Sequence, residues 1–324
     1  MTVTDAAGCR IGFVGTGAVA HRHARVLTGL PGVDVVAATD VDAERATLFA
    51  EAHGARAVPD LDALLGEGLD AVYVCVPPFA HGEIEVRVAG AGVALFVEKP
   101  LASDQAGAEW IDRRIRPTGV LTRVGHHWRC AEPVRRARRL LEGRPIRLAA
   151  ATWLDRTPPV PWWADRARSG GPIVEQAVHV LDLVRVLVGE VAEVHAAAGG
   201  VLPNGAQAAT AGLLCFANGA VGTLSTTCVL DVKHRAGVEI VADGIVVGVG
   251  EDWLDVRNGE GSHRAEYDAM TARAAVDAAF VAALRGTPVP PERDGPDHAD
   301  ALRSHRLACA LARSAASGRA EVVR

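Results

Sequence analysis

The stretch RIGFVGTGAVA at residues 10–20 constrains the fold of this chain more than any other. Its apolar run at 11–14 is typical of a buried strand, and Gly15 and Gly17 interrupt that run, with Ala20 at a third small position. In a G-x-G-x-x-A pattern the first glycine permits a tight turn, the second lets the backbone approach a pyrophosphate, and the third small residue lets a helix pack on the strand. The amide groups at the start of that helix favour negative charge. The pattern therefore predicts a dinucleotide-binding turn, provided that the surrounding residues agree.

The next strand supports this interpretation. A second β-branched run at 33–39 ends at Asp40, where a carboxylate can accept hydrogen bonds from the ribose hydroxyls of adenosine. The same carboxylate would repel a 2'-phosphate, so NAD is favoured over NADP, although Arg45 is close enough to leave NADP open. The alternative role for Asp40 is that of a helix cap, which Asp42 could fill equally well.

Strand and helix patterns alternate from residue 10 to residue 124, which predicts a doubly wound parallel sheet of the Rossmann type. Ligands of such sheets bind beyond the carboxyl ends of the strands, so residues far apart in sequence are expected to meet on one edge. The predicted cofactor-binding residues are Gly15, Thr16, Gly17, Ala18, Val19, Asp40, Pro77, His81, Glu98 and Lys99. For His81, helix capping is the alternative role.

The pattern changes near residue 125. Longer β-rich segments follow from 146 onward, and the dipeptides Asn218-Gly219 and Asp243-Gly244 predict tight turns between antiparallel strands. Helical patterns interrupt these strands at 132–141, 172–188, 272–284 and 298–317. We therefore predict an α/β protein with a dinucleotide-binding Rossmann domain at 1–124. A C-terminal α+β domain at 125–324 would be built on a large, mostly antiparallel sheet and would bind substrate.

Composition excludes several classes of function. The net charge of −5 argues against a nucleic-acid surface. Residues 194–230 contain no charged side chain, but glycine and proline turns interrupt them, so a hairpin explains this stretch better than a membrane span. The twelve histidines show no metal-binding spacing, so no metal is predicted. Scattered cysteines and the N-terminal stretch MTVTDAAGCR, which lacks an export pattern, predict a cytoplasmic protein with reduced thiols.

Five stretches, taken in order, resemble the Gfo/Idh/MocA oxidoreductases, the family of glucose-fructose oxidoreductase and inositol dehydrogenase. They are GFVGTGAVAHRH at 12–23, VCVPPFAH at 74–81, VEKPLA at 97–102, SGGPIVEQAVHVLD at 169–182 and SAASGRAEVV at 314–323. Each stretch is weak evidence alone, but their order and spacing together are specific. The resemblance covers nearly the whole chain and implies a Rossmann domain followed by a sheet-based substrate domain.

Lys99 is the first residue with a predicted chemical role. A lysine at a strand end can hydrogen-bond the substrate oxygen that gains or loses hydride, and its charge stabilises an alkoxide there. An isolated lysine would more often lie on the surface, here paired with Glu98. The resemblance implies instead that Lys99 is the catalytic lysine of the EKP motif.

A helix predicted from Pro172 supplies the second group. Glu175, His179 and Asp182 recur at intervals of four and three residues, which places them on one helical face. His179 is the predicted general base for alcohol oxidation, or the general acid for the reverse reaction, because its ordinary pKa lies near neutral pH. A histidine among apolar residues is otherwise more often part of a core. We expect Asp182 to orient the helix or to pair with Arg185.

Glu175 departs from the commoner family pattern, which has Asp at this position. The longer side chain could bind a substrate hydroxyl or tune His179, so Glu175 is predicted to be catalytic with altered substrate geometry. Indole faces suit the apolar side of a sugar ring, which brings the tryptophans near the predicted site into consideration. The predicted substrate-binding residues are Lys99, Trp128, Arg129, Trp162, Trp163, Glu175, Gln176 and His179. Core packing explains the pair at 162–163 about as well.

The resulting prediction is an NAD(P)-dependent oxidoreductase acting on a secondary alcohol or ketone of a sugar, cyclitol or related polyol. One alternative is a redox glycosidase, which oxidises a ring carbon transiently and recycles its NAD. Another is a dinucleotide-binding sensor without turnover. An open sheet of this size must cover its outer face, so a homo-oligomer formed through the C-terminal sheet is also predicted.

Overall fold

The computed structural model describes residues 8–324, so most of the N-terminal stretch analysed for an export signal lies outside the described residues. The first half builds six strands, namely β1 (Cys9–Val14), β2 (Val33–Thr39), β3 (Arg56–Ala57), β4 (Ala71–Val74), β5 (Ala94–Val97) and β6 (Thr122–Val124). Five helices alternate with them, namely α1 (Ala18–Leu27), α2 (Ala43–His53), α3 (Leu61–Leu65), α4 (Glu83–Gly90) and α5 (Gln105–Ile115).

These six strands form one parallel sheet in the order β3-β2-β1-β4-β5-β6. The chain runs outward from β1 in one direction and then returns to continue from β4 in the other. The carboxyl ends of β1 and β4 therefore border the crevice where ligands of such sheets bind. The predicted Rossmann sheet is confirmed.

The second half adds nine strands and five helices. The strands are β7 (Ile146–Leu154), β8 (Val191–Val201), β9 (Gln207–Phe216), β10 (Val221–Thr227), β11 (Arg235–Ala242), β12 (Ile245–Val249), β13 (Trp253–Asn258), β14 (Gly261–Glu266) and β15 (Glu321–Val322). The helices are α6 (Glu132–Leu141), α7 (Arg166–Ser169), α8 (Val178–Leu187), α9 (Ala269–Leu284) and α10 (His298–Ser317).

The nine strands form a second sheet in the order β14-β13-β12-β11-β7-β10-β9-β8-β15. Within this second sheet, β7 and β10 are the only parallel pair among the described residues, and all other pairs are antiparallel. The expectation of a mostly antiparallel sheet is therefore confirmed. Both predicted turns join hairpins, since Cys215 pairs with Val221 across one and Ala242 pairs with Ile245 across the other. Strands β13 and β14 were not predicted. The second is largely exposed and carries few apolar residues, so its sequence lacks the pattern of a half-buried strand.

Helices from the second half of the chain also pack in the hydrophobic core of the first sheet. Phe280 of α9 is fully buried against the Rossmann sheet, with its ring centroid 5.7 Å from that of Tyr73 and 5.5 Å from that of Phe96. Leu302 of α10 also packs in a core of the first half. The C-terminal helices therefore complete the first domain as well as the second, and the boundary after residue 124 stays a prediction.

Two further observations bear on where the protein works. None of the helices described for residues 8–324 is both long and apolar enough to cross a bilayer. The six cysteines are all free thiols, and of these only Cys215 is exposed. A cytoplasmic location stays a prediction.

The packing of α9 on the first sheet can be tested with Phe280→Ala. Removing this buried ring should lower the free energy of unfolding by about 3–5 kcal/mol, because the surrounding rings cannot close the cavity. The control Leu48→Ala, on the exposed side of α2, should change it by about 0.5 kcal/mol or less. Urea denaturation followed by circular dichroism measures both variants, and equal losses would show that α9 is not part of this core.

Candidate active site

The glycine turn between β1 and α1 has the geometry that a dinucleotide requires. Gly15 has φ +83°, and a Cβ there would lie 2.5 Å from the carbonyl oxygen of Cys75, so only glycine fits. A Cβ on Gly17 would meet no atom within 4 Å, which means that open space lies beside the start of α1. No side chain caps this helix start, so its first amides remain available to a phosphate. Thr16, Ala18 and Val19 belong to the same turn.

Asp40 lies against this turn. Its carboxylate accepts hydrogen bonds from the Thr16 amide at 2.7 Å and from the Asp42 amide at 3.0 Å. The helix cap that was its alternative role belongs to Asp42, which accepts the amides of Glu44 and Arg45. Arg45 also pairs with Asp42 at 2.9 Å, so the residue that left NADP open has a carboxylate partner. The residues of this edge therefore fit the adenosine half of NAD.

His81 is placed differently from the prediction. Pro77 follows β4 at the expected edge, but the His81 imidazole is fully buried and hydrogen-bonds the Glu85 carboxylate. Glu85 in turn accepts the Gly82 amide at 2.7 Å, at the start of α4. This network stabilises the start of the helix, so the geometry supports the capping role of His81 rather than contact with the cofactor.

Lys99 and Glu175, 76 residues apart in sequence, meet in the site. The Lys99 ammonium donates to the backbone carbonyl of Glu175 at 2.8 Å and to its carboxylate at 3.2 Å. Both side chains are mostly buried, with 14% of each exposed. Lys99 is therefore held as a charged group in a largely dry position, where an ammonium interacts strongly with a developing negative charge.

Trp162 and Trp163, which lie between Lys99 and Glu175 in the sequence, have different surroundings. Trp163 is buried, and its indole nitrogen donates to the second oxygen of the Glu175 carboxylate at 2.8 Å. It therefore holds Glu175, which favours the core-packing alternative for Trp163 over the predicted contact with a sugar ring. Trp162 is only partly buried and lies with its ring edge toward Phe79 at 6.5 Å.

The helix predicted at 172–188 begins with one wide π turn, Ile173–Ala177, before α8. Such turns are rare, occur often at functional sites and alter the angular spacing of side chains. The structure records no hydrogen bond between Glu175 and His179 within residues 8–324, and the Glu175 carboxylate contacts Lys99 and Trp163 instead. Glu175 is therefore placed to position Lys99 more directly than to tune His179.

His179 lies in an aromatic wall. Its imidazole stacks with the ring of Trp128 at 5.7 Å and with that of Trp153 at 5.6 Å, with interplanar angles of 16° and 17°. Burial, together with the nearby charges of Lys99 and Lys233, holds the pKa of His179 well below its ordinary value. The imidazole is therefore neutral at neutral pH and available as a base. Of its two ring nitrogens, only Nδ1 is fully buried without a hydrogen-bond partner among the described residues.

A buried chain of charges lies behind Lys99. Glu98 accepts a hydrogen bond from His23 at 2.8 Å, and His23 contacts Asp277 of α9 through its other ring nitrogen at 2.7 Å. Burial alone would lower the pKa of His23, but the two carboxylates raise it to about 9. Burial would raise the pKa of Glu98, but His23 and Arg22 lower it to about 2. Glu98, predicted to bind cofactor, is therefore ionised and held by the protein itself.

Arg129 and Gln176 also have partners inside the protein. The Arg129 guanidinium donates twice to Asp182 at 2.6 Å and also pairs with Asp300. Three of its five N–H donors are thereby engaged inside the protein, and its contact with substrate stays a prediction. Asp182 pairs mainly with Arg129 instead of Arg185. Gln176 is buried, and its amide donates to the carbonyl of Arg156 at 3.1 Å.

Sequence reasoning missed several residues that surround His179. They are His126, His127, Trp153 and Lys233. The signal for the first two was their position at the carboxyl end of β6, directly before Trp128. Trp153 and Lys233 come from the second sheet and the segment before β11, and no local pattern connects them to the site. No group of three or more potential metal ligands occurs in the part of the chain that the structure describes.

Comparison with known proteins decides the family. A family model described as "Oxidoreductase family, NAD-binding Rossmann fold" matches residues 9–126, and one described as "GFO/IDH/MocA C-terminal domain" matches residues 134–244. Together they cover more than half of the chain. The chain belongs to the GFO/IDH/MocA family. Membership confirms both the resemblance drawn from the motifs and the NAD-binding Rossmann domain expected from the glycine turn.

Several curated proteins are similar to this chain, and their names state an enzymatic activity. An inositol 2-dehydrogenase of Acidothermus cellulolyticus is 35% identical over 201 residues, covering 59% of this chain and 57% of the relative. A 2,7-anhydro-N-acetylneuraminate hydratase of Mediterraneibacter gnavus is 29% identical over 203 residues, covering 60% and 54%. The matched region thus spans little more than half the length of these relatives. A solved levoglucosan dehydrogenase with NADH and levoglucosan superposes with a TM-score of 0.87 at 20% identity, covering 98% of this chain and 99% of the other, which shows a shared fold.

The buried charge chain predicts a specific pH dependence of stability. Because the pKa of His23 is about 9 in the folded protein and 6.5 ordinarily, its stabilising contribution is complete below pH 6.5 and is lost as the pH rises to about 9. The difference in unfolding free energy between wild type and His23→Gln should shrink by on the order of 3 kcal/mol over that interval. Urea titrations across this pH range measure it.

The matched control is His195→Gln, since His195 lies exposed on β8. This variant should follow the pH dependence of the wild type. A wild-type advantage over His23→Gln that stayed constant from neutral to alkaline pH would show that His23 does not carry the extra proton.

Proposed function

We propose that this chain is an NAD-dependent dehydrogenase that acts on a secondary alcohol, or on the corresponding ketone, of a sugar, cyclitol or related polyol. The observation that carries the proposal is a mostly buried site in which Glu175, four residues before His179 in the same helical segment, holds the Lys99 ammonium at 3.2 Å. The charge of this ammonium also lowers the pKa of the buried His179 imidazole. The relatives named as inositol 2-dehydrogenase support this substrate class.

The cofactor preference follows from the edge of the first sheet. The open space at Gly17 and the free amides at the start of α1 suit a pyrophosphate. The Asp40 carboxylate suits a ribose diol and repels a 2'-phosphate, which supports NAD over NADP. When bound, the nicotinamide supplies the hydride acceptor or donor for the substrate carbon.

Lys99 binds and polarises the substrate oxygen in this proposal. Its ammonium has three donors, of which two point at the Glu175 carbonyl and carboxylate, so one remains for the substrate. Glu175 acts as a positioning residue, since Trp163 and Lys99 each hold one oxygen of its carboxylate. As alcohol oxidation proceeds, the fixed positive charge of Lys99 stabilises the alkoxide that forms when the hydroxyl proton departs.

His179 receives that proton. The neutral imidazole is the form present at neutral pH, because burial and neighbouring cations hold its pKa well below the ordinary value. The rings of Trp128 and Trp153 keep water away from one side of it, which strengthens its interaction with the reacting hydroxyl. In the reverse direction, the protonated imidazole returns the proton to the oxygen as the ketone is reduced.

A panel of sugars, cyclitols and polyols, each tested with NAD and with NADP by absorbance at 340 nm, tests this function. At least one polyol should form NADH, and NAD should be preferred. With that polyol, Lys99→Ala and His179→Ala should each lower kcat/KM by about 10²–10⁴, since each removes a group that acts in the transition state. The control His263→Ala, on exposed β14, should keep wild-type activity.

Several outcomes would contradict this assignment. Wild-type turnover by either variant would show that the role of that residue is wrong. Measurable NAD binding without any absorbance change over the whole panel would favour the sensor. Retained, self-regenerated NAD with glycosidic cleavage products would favour the redox glycosidase.

We also propose that the chain forms a homo-oligomer through the outer face of its second sheet. Leu148, Leu213 and Val221 lie exposed on the three adjacent strands β7, β9 and β10, and Val221 pairs directly with Leu148. Contiguous exposed apolar residues of this kind mark protein interfaces more often than free surface. Sheet-on-sheet packing between two copies would cover them.

Light scattering tests the oligomer. The wild type should have a mass that is a multiple of 33.8 kDa, and Leu213→Glu should shift it toward the monomer, because it places a charge in the interface. Leu48→Glu, an equally exposed leucine on α2, is the matched control and should leave the mass unchanged. A monomeric wild type would overturn the proposal.

A further inference from the structure

The chain has two lysines, one bound to Glu175 four residues before His179 and one over the two indole rings that stack on His179. Of its 34 basic Lys and Arg residues, only Lys99 and Lys233 are lysines, and all others are arginines. Both ammonium groups lie near enough to His179 to lower its pKa. Lys is a compact, flexible point charge with three donors, whereas Arg is a planar fork, so the two are not interchangeable at a binding site. Lys99 already has a function in the proposed mechanism, and Lys233 has none.

Lys233 lies at the open side of the aromatic wall. It belongs to the exposed segment between β10 and β11, and its Nζ lies 5.5 Å from the ring centroid of Trp128 and 5.0 Å from that of Trp153. These are the two rings that stack on His179. A cation over two indole faces is attracted by both and is held toward the site instead of extending into solvent.

The charge of Lys233 is not matched by the protein. Lys99 pairs with Glu175, and the nearby Arg129 pairs with Asp182 and Asp300. Within residues 8–324, Lys233 forms neither an ion pair nor a hydrogen bond through its ammonium. The aromatic rings orient this cation without neutralising it, so it remains free to bind an anion beside His179.

We propose that Lys233 binds a carboxylate of the substrate, so that the enzyme acts on a sugar acid or another polyol acid in preference to the neutral polyol. This inference rests on the proposed dehydrogenase function and names the substrate class of the same site. One compact ammonium with three donors matches a carboxylate, which carries a single negative charge. The acid group would lie on Lys233, and the hydroxyl to be oxidised would lie between Lys99 and His179.

This arrangement would also improve the chemistry. Burial is the largest cause of the low pKa of His179, and the positive charges of Lys99, of His127 and His126 when protonated, and of Lys233 lower it further. A carboxylate on Lys233 offsets one of the two ammonium charges, which makes the imidazole a stronger base than it is beside a neutral substrate. The enzyme would therefore use the charge of the correct substrate both to bind it and to activate the base.

Matched pairs of neutral and acidic sugars test the proposal. Isothermal titration of the NADH-saturated protein, which cannot oxidise an alcohol, with D-glucose and D-glucuronate, and with D-galactose and D-galacturonate, gives a dissociation constant for each. We expect the acid of at least one pair to bind about tenfold or more tightly than its neutral partner. Lys233→Met should remove that preference, and Lys233→Arg should keep only part of it, because the charge is retained but the planar guanidinium presents its donors differently. D-glucose 6-phosphate, which carries a phosphate instead, should gain no comparable advantage.

The control is Arg114→Met, which removes another cation lying over an indole ring, 3.8 Å from the Trp110 centroid on α5. It should leave the acid preference intact. Equal binding of both members of every pair, no binding of either acid, an undiminished preference in Lys233→Met, or a stronger preference for the phosphate would each overturn the proposal. Acid preference without NADH formation on any polyol would overturn the dehydrogenase function alone, because binding is measured separately from hydride transfer.

Discussion

The arrangement of this protein depends on a buried charge chain that connects three distant segments. His23 of α1 lies between Glu98, which directly precedes Lys99, and Asp277 of α9. Removing either carboxylate from this interior would leave a charge without its partner, which is costly in a region of low dielectric. The contacts of His23 with Glu98 and Asp277 therefore fix three elements relative to one another. These are the EKP segment, the first helix of the Rossmann domain, and α9 from the second half of the sequence.

Beside these buried charges, the site combines charged groups with the exclusion of water. Lys99 is held by Glu175, which Trp163 holds in turn, and His179 stacks on two indole rings that also stack on each other. Each contact removes water or conformational freedom from a group to which we assign a role in the proposed reaction. The low pKa of His179 has the same origin, because burial and two ammonium groups both oppose its protonation.

Three residues that were predicted to contact cofactor or substrate have a common property. His81, Arg129 and Trp163 each carry a polar group that could have faced a ligand, and each uses it on a partner in the protein. His81 contacts Glu85, four residues later in the first turn of α4. Arg129 contacts Asp182, which is 53 residues away, and Trp163 contacts Glu175, which lies twelve residues later beyond α7. Apart from the first, no local pattern identifies such a partner, because the pairing depends on how segments pack.

The sequence by itself determined the parallel sheet, the glycine turn, Asp40 and the candidate pair of Lys99 and His179. The sheet, the glycine turn and Asp40 follow from local rules, since apolar periodicity, glycine conformation and strand ends act over a few residues. The roles predicted for Lys99 and His179 came mainly from the resemblance of their motifs to those of the family. Only the tertiary structure decided that Asp42 caps α2, that α9 completes the first core, and that Trp153 and Lys233 lie at His179. The physical reason is that contacts between distant segments depend on burial and charge pairing in three dimensions, which leave no periodic trace in the chain.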